Sequence, residues 1–102
     1  MSDRYSLQAD LEKLIGSENV YFQPPENIKL KYPCIIYNMS RIQDIHADNK
    51  RFFTHIKYDV TIIDSNPDSS LPNDFLNHFR YGSFDRMFIN DNLYHYTFGL
   101  YY

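Results

Sequence analysis

The sequence has no tryptophan, a single cysteine and only three glycines among its 102 residues. One cysteine cannot form an internal disulfide, and it leaves no second thiol for a CxxC zinc site. Cys34 is therefore expected to be a small buried residue of a strand. The glycine-rich fingerprints of phosphate and dinucleotide binding are also missing. These absences argue against a disulfide scaffold, a zinc finger and the common nucleotide-binding folds.

Long apolar runs are absent as well. No stretch is long enough to cross a bilayer, and the N-terminus lacks the basic and apolar pattern of a signal peptide. We therefore expect no membrane partner and a protein made in the cytoplasm.

The charge has no basic excess. Ten Lys and Arg stand against thirteen Asp and Glu, which gives a formal net charge of −3, and the basic residues are scattered singly. Nucleic-acid binding through phosphate neutralisation is disfavoured by this distribution. An RNA-recognition sheet could use strand aromatics for stacking, but its basic strand motif is missing.

Aromatic residues are abundant, with ten Tyr and eight Phe. Such residues suit strands, cores and interfaces. The whole chain, 1–102, is predicted to be one α+β domain with a mostly antiparallel sheet and the order α-β-β-β-α-β-β. The first helix is indicated by an apolar stripe and ends at Gly16; the stripe comprises Leu7, Leu11, Leu14 and Ile15.

Three strands are predicted in the first two thirds of the chain. "ENVYFQPP", at 18–25, looks like a protease site from a purification tag, but it follows a complete helix and is predicted to be a short edge strand stopped by prolines. "KYPCIIYNMS" is the second strand, with both faces largely covered. "FFTHIKYDVTIID" is the third and alternates clearly, with Phe52, Ile56, Tyr58, Val60 and Ile62 on the core side.

The segment "DSNPDSSLPNDFLNHF" predicts a turn and then a short second helix. Asp64, Asn66 and Asp68 resemble the start of a calcium loop, but Ser69 and Phe75 replace its Gly and closing Glu. An Asx-type turn that caps the helix is favoured instead. The chain then closes with two strands joined by the turn "NDN".

Between the second and third strands lies the polar segment "SRIQDIHADNKR", 40–51, which is predicted to be a long loop. Long loops on rigid sheets often carry contacts. A partner-binding loop and a merely solvated flap are equally compatible with this composition. The candidate contact residues are Arg41, Asp44, His46, Asp48, Lys50 and Arg51.

No catalytic or metal site stands out. The four histidines have no metal-ligand spacing, so neither a metal nor another cofactor is expected. The only catalytic assembly that can be drawn is His55 with Asp59 and His95, and a solvated sheet face explains these residues equally well. The protein is expected not to be an enzyme.

A combination of segments resembles a known family. "IGSENVYFQPPENIKLKYPCIIY", "YDVTIIDSNPDSSLPNDFLNHF", "SFDR" and "LYHYTFGLYY" together cover nearly the whole chain. They are similar to the tail-completion proteins, or tail terminators, of long-tailed phages, which have an α+β fold.

The resemblance implies a structural virion protein that forms a ring, usually a hexamer, at the end of the tail tube. Its partners would be other copies of itself, the tail tube protein and the head-tail connector protein, at the head-tail junction. DNA would pass through without specific binding, since six copies of charge −3 carry −18. Lumen candidates are Asp44, Asp48 and Asp91. Two alternatives remain: another head-tail neck subunit, such as a head-completion or connector protein, or a small cytosolic inhibitor or antitoxin-like binding module.

Overall fold

The protein is a two-layer α+β domain, as predicted. The computed structural model describes residues 4–47 and 50–102, with side chains for 4–40 and 56–102. The elements follow the predicted order: α1 (Arg4–Ile15), β1 (Val20–Phe22), β2 (Cys34–Ala47), β3 (Lys50–Asp64), α2 (Leu71–His78), β4 (Gly82–Asn90) and β5 (Leu93–Tyr101).

The five strands form one sheet with the order β1-β2-β3-β5-β4. β1 is parallel to β2, and the remaining neighbours are antiparallel. β5 is therefore inserted between β3 and β4, and the two edges of the sheet are β1 and β4. The prediction that "ENVYFQPP" contains a short edge strand is confirmed.

Both helices cover one face of the sheet, where the core lies. Leu7 and Leu11 of α1 and Phe75 of α2 are completely buried in a single apolar cluster with alternate residues of the strands. The strand members are Val20, Ile35, Tyr37, Tyr58, Val60, Ile62, Phe98 and Leu100. The alternation predicted for β3 is thus confirmed from Ile56 to Ile62.

The helix ends follow local chemistry. Gly16 adopts a φ of +75°, and its N–H donates to the Glu12 carbonyl, so the predicted stop of α1 is confirmed. Before α2, the side chains of Asp64 and Asn66 accept from the N–H groups two residues ahead, which makes two successive Asx turns. These turns precede α2 rather than cap it: the N-cap is Ser70, which makes no side-chain cap bond.

The second face of the sheet is covered in part. Cys34 is fully buried there, as expected, and Ile63 beside it is 4% exposed. Ile36 is half-buried, but Asn38 is exposed. The prediction that both faces of β2 are largely covered therefore holds near Cys34 and fails toward Asn38.

Candidate assembly surface

The outermost strand β4 is the least covered element of the described chain. From Ser83 to Asn90 every residue is exposed, and four of them are large and apolar. Their exposed fractions are 50% for Phe84, 46% for Met87, 38% for Phe88 and 59% for Ile89. We call this strand, Gly82–Asn90, the β4 edge. An open strand edge with four exposed large apolar side chains is unusual on a monomer and typical of an interaction surface.

Both ends of the β4 edge are fixed by the fold. At the far end, Asp91 and Asn92 have φ values of +52° and +62°, the conformation of a tight two-residue hairpin, so the predicted "NDN" turn is confirmed. At the near end, Gly82 lies against α2, where a Cβ would come within 2.9 Å of Phe75 Cε1. The strand is thus held in place by its neighbours while its outer side is left open.

The apolar side chains of the β4 edge lie on both faces of the sheet. Phe84 is opposite Phe98 on the helix-covered face, with ring centroids 5.6 Å apart. Met87 and Ile89 are opposite Tyr96 and Tyr94 on that face. On the other face, Phe88 stacks on His95 at 4.7 Å, and the Arg86 guanidinium lies 5.4 Å from the Phe88 ring. A partner strand would therefore find apolar contacts on both sides.

One irregularity interrupts the β4 edge. The register of β4 on β5 shifts between Phe84 and Arg86, so that Asp85 bulges. Thr97 Oγ1 lies at this bulge, where it accepts from the Arg86 N–H at 3.2 Å. Its single O–H has two acceptors within reach, the Arg86 carbonyl at 3.1 Å and Asp85 Oδ2 at 3.2 Å. A bulge adds twist but leaves the following residues in strand geometry.

The predicted loop at 40–51 is wrong. β2 continues to Ala47 and β3 begins at Lys50, and the two strands pair from Arg41↔Lys57 to Ala47↔Lys50 with one register shift between Ile45 and His46. We call this two-stranded extension, residues 41–47 and 50–56, the arm. The sequence misled because this segment is mostly polar and lacks the sustained apolar alternation by which strands are recognised.

The arm projects well beyond the sheet. β3 pairs with β5 only from Lys57 onward, and β2 pairs with β1 only at 35–37. The seven residues of each strand of the arm reach roughly 23 Å, and the described molecule measures 51 × 27 × 23 Å. Of the predicted contact residues, five lie on the backbone of the arm and Asp48 lies outside the described residues; the five are Arg41, Asp44, His46, Lys50 and Arg51.

The lumen candidates do not come together. Asp91 lies at the β4–β5 turn, next to the end of β3 at Asp64, whereas Asp44 pairs with Thr54 on the arm. Ten residues of β3 separate these levels, which is roughly 33 Å. Asp48 falls outside the described residues. Asp44 and Asp91 could line one channel only if the strands run along it.

The possible catalytic assembly is also separated. His95 pairs with Ile63, while Asp59 pairs with Gly99, four residues earlier along β3. That offset is about 13 Å, which is too long for a hydrogen bond. His55 belongs to the arm, and its side chain is not among those described.

Two shallow clefts accompany the surface. The larger, of about 310 Å³, lies between α1, the end of α2 and the end of β5, and Tyr102 donates to Asp10 Oδ2 at its wall. The smaller, of about 240 Å³, is polar and follows the second face beside β4; its charged members are Lys57, Asp59 and Asp85. Neither brings together a nucleophile, a base and an oxyanion site.

Among the described residues, four side chains have a shifted pKa: Arg4, Cys34 and Tyr37 lie toward the opposite edge of the sheet, and Tyr96 lies on β5, where burial raises its pKa. Burial raises the pKa of the Cys34 thiol to about 11, with help from the charge of Asp64. Burial also raises the pKa of Tyr37, although the Arg4 guanidinium acts against it. Both groups are held neutral by the packing around β1 and β2, which is the effect of a closed core and not of a reactive site.

Comparisons with known proteins add no relationship: no family model, no curated protein and no solved structure matches the chain. Within residues 4–47 and 50–102, no three His, Cys, Asp or Glu side chains form a group that could hold a metal ion. No helix in those ranges is long and apolar enough to cross a membrane. The β4 edge and the arm are thus the two distinctive features of the described residues.

Proposed function

We propose that the protein is a structural virion subunit that forms a ring at the end of a phage tail tube, ends the tail and joins it to the head connector. The observation that supports this proposal is the β4 edge, nine residues of open strand with four exposed large apolar side chains. An apolar strand edge of this length in one small domain favours assembly with further chains.

The resemblance to tail-completion proteins suggests that the ring lies at the end of the tail tube. The arm fits this position because it could contact an adjacent layer of the neck. A ring subunit needs contacts to its neighbours and to the layers above and below. The β4 edge and the arm extend from the domain in different directions, since one is lateral and the other follows the strand axis. The lateral surface serves the ring, and the arm reaches toward the tail tube protein or the connector protein.

The net charge fits a channel for DNA. Six subunits of formal charge −3 carry −18 in total. Such a ring repels phosphate, so DNA slides through without being held. The purified protein should therefore show no salt-sensitive binding of duplex DNA in fluorescence anisotropy at low ionic strength, where attraction would be strongest. Micromolar binding that weakens with salt would contradict this part of the proposal.

The decisive experiment is cryo-electron microscopy of the neck of virions from the phage or prophage that encodes the chain. Density for a ring of this fold between tail tube and connector is the expected result. Deleting the gene should leave full heads, unjoined tails and tubes of irregular length, and supplying the gene in trans should restore infectivity. Infectious particles of normal form without the protein would overturn the proposal.

A further inference from the structure

We propose that two copies of the free protein pair through their β4 edges, antiparallel and about a two-fold axis at Phe88. This inference goes beyond the proposed ring, because a two-fold contact uses the same surface on both partners and closes at two subunits. It therefore concerns the protein before assembly, and ring formation must open the pair. The hydrogen-bond pattern of β4, its side chains and its charges lead to this pairing.

The β4 edge of a second copy matches the first in length. The other edge of the same sheet is β1, which has only three residues, Val20–Phe22. Pro24 and Pro25 follow it and offer no N–H groups. The Val20 carbonyl already accepts from Gln8 Nε2 of α1. Another β4 offers nine residues of open strand, which no other edge at this level of the described sheet does.

The hairpin turn decides which backbone groups of β4 face outward. The turn that follows Asn90 has two residues, so Asn90 and Leu93 are the last hydrogen-bonded pair of β4 and β5. Bonded and non-bonded pairs alternate along an antiparallel ladder. Met87 and Ile89 therefore belong to non-bonded pairs, and their N–H and C=O groups point away from β5 toward a second chain.

One register uses all of these groups in both copies. With Phe88 opposite Phe88 of the second copy, Met87 and Ile89 lie opposite each other, and each such pair exchanges two hydrogen bonds. A pairing centred on Met87 would place Ile89 against the bulge at Asp85. One centred on Ile89 would place Met87 against the turn at Asp91. The regular part of the strand therefore favours the register centred on Phe88.

The side chains complement each other in this register on both faces of the sheet. On the helix-covered face, the exposed Met87 and Ile89 of the two copies meet in one apolar cluster. On the other face, the two Phe88 rings adjoin at the axis, where a non-bonded pair brings side chains closest. Each of these rings stacks on His95 of its own chain at 4.7 Å. Four rings thus form a row across the contact.

The charges of β4 favour the antiparallel direction. Arg86 and Asp91 lie at opposite ends of the paired segment. In the proposed register Arg86 is opposite Asn90 of the second copy and next to its Asp91, so opposite charges meet at both ends of the contact. Asp85 is directed toward β5, where Thr97 Oγ1 lies 3.2 Å from its Oδ2. A parallel, in-register pairing would instead place like charges side by side, which is unfavourable.

The contact is short, so the dimer should be weak. The segment 86–90 is roughly 17 Å long, and a strip about 10 Å thick then buries roughly 170 Å² per partner, far below the approximately 800 Å² of a stable interface. We expect a dissociation constant on the order of 0.5 mM. The protein should thus be monomeric in dilute solution and dimerise when it is concentrated.

Disulfide formation between introduced thiols tests the register. Phe88→Cys places two thiols at the axis, where the Cα atoms of a non-bonded pair lie about 4.5 Å apart, within the range that a disulfide spans. Met87→Cys and Ile89→Cys are matched controls, because each meets its own copy only diagonally, about 7–8 Å away. After mild oxidation at about 1 mM protein, the dimer is measured on non-reducing gels. We expect the largest yield at position 88.

Other yields would contradict the pairing. A maximum at position 87 or 89 would overturn the register, and equal yields at the three positions would indicate random collision. The unsubstituted protein, whose Cys34 is buried, should give no disulfide dimer. Gln43→Cys, on β2 in the arm, tests the other open strands. A mixed disulfide with Ile89→Cys that exceeds the yield at position 88 would show pairing with the arm and would overturn the proposal.

A charge reversal and its repair provide the second measurement. Arg86→Glu should weaken dimerisation about tenfold in sedimentation equilibrium, because the new carboxylate would lie beside Asp91 of the second copy. Adding Asn90→Lys should restore it, since positions 86 and 90 are opposite each other between chains but roughly 13 Å apart within one chain. Leu76→Lys, at a 38% exposed position on α2, is the control and should leave association unchanged. A loss that Asn90→Lys does not repair would contradict the register.

The outcomes distinguish this inference from the proposed function. Disulfides and sedimentation concern the purified protein alone, whereas density in the virion neck concerns its place in the particle. A neck ring whose free subunits show no maximum at position 88 keeps the function and removes the pairing. A dimer centred on Phe88 in a protein that is missing from virions does the reverse.

Discussion

The two edges of the sheet are completed in different ways. At the β1 edge, Val20 is 6% exposed, and its carbonyl accepts from Gln8 Nε2 of α1 at 3.1 Å. Nearby, the Tyr37 hydroxyl donates to Gln8 Oε1 and accepts from Arg4, whose guanidinium also lies 4.4 Å from the Phe22 ring. The β4 edge has no comparable cover in the described chain.

This difference shows which edge of the sheet the domain covers with its own side chains and which edge stays open to another chain. α1 covers the β1 edge with side chains from its own domain, so that edge belongs to the core. On β4 only the Gly82 end touches a helix, and the apolar residues beyond it remain exposed. An edge that the domain does not protect is the expected place for a partner.

The largest contrast should appear in stability. Leu11→Ala removes a fully buried side chain of α1 and is expected to lower the free energy of unfolding by about 2–5 kcal/mol. Ile89→Ala removes a side chain that is 59% exposed and should change it by less than about 0.5 kcal/mol in the monomer. Urea unfolding at low protein concentration measures both. Similar losses would mean that the β4 edge is covered within the domain.

Thiol reactivity should show the same contrast. With a pKa of about 11, Cys34 at pH 8 holds about 100-fold less thiolate than a thiol with a pKa of 9.0, and its burial slows attack further. A thiol introduced by Ile89→Cys should react at the rate of a free thiol. The rates are followed with a chromogenic disulfide in native and in unfolded protein. Fast labelling of native Cys34 would contradict the closed packing of this edge.

Gly82→Ala tests the one point where β4 is covered. Its new Cβ would be 2.9 Å from Cε1 of the buried Phe75 ring, so the ring or the strand must shift. We expect this substitution to lower the free energy of unfolding by about 1–3 kcal/mol. Gly99→Ala is the matched control: its Cβ meets the flexible Lys57 side chain at 3.1 Å. Thermal unfolding of both variants makes the comparison, and an equal effect would show that Phe75 does not fix the strand.

The smallest effect concerns the hydrogen bonds of the β1 edge. Tyr37→Phe keeps the ring and removes the hydroxyl between Gln8 and Arg4, so we expect a loss of about 0.5–1.5 kcal/mol. Because the pKa of Tyr37 is raised in the folded state, the unfolded chain ionises first. The stability contribution is therefore complete below about pH 10 and falls as the pH rises further. That fall should be weaker in Tyr37→Phe, as measured by urea titrations at several pH values.

The spacing of apolar residues in the sequence was sufficient to predict the helices and strands that bury one face. The spacing of Leu7 and Leu11 predicted α1, and Gly16 predicted its end. The alternation around Tyr58 and Val60 predicted β3 and its core face. In each case burial leaves a regular pattern of apolar residues, which is the signal that a sequence displays most directly.

Two features of the structure left no such pattern. The arm was taken for a loop because its sequence is mostly polar and lacks a sustained apolar alternation. The β4 strand was predicted, but its exposure was not, since Phe84, Met87 and Ile89 are equally typical of a core strand. The parallel pairing of β1 and the insertion of β5 between β3 and β4 depend on contacts between distant segments, which local patterns do not contain.

The arm has one further consequence, which is mechanical. β2 and β3 are the strands that carry Tyr37, Tyr58 and Val60 in the middle of the core, and the same two strands continue without interruption into the arm. A force applied along residues 41–47 or 50–56 is therefore transmitted by continuous backbone into the buried core of the domain. The register shift between Met39 and Arg41, at the base of the arm, is where bending should concentrate. The arm can thus act as a lever that couples events at one end of the molecule to the packing at the other.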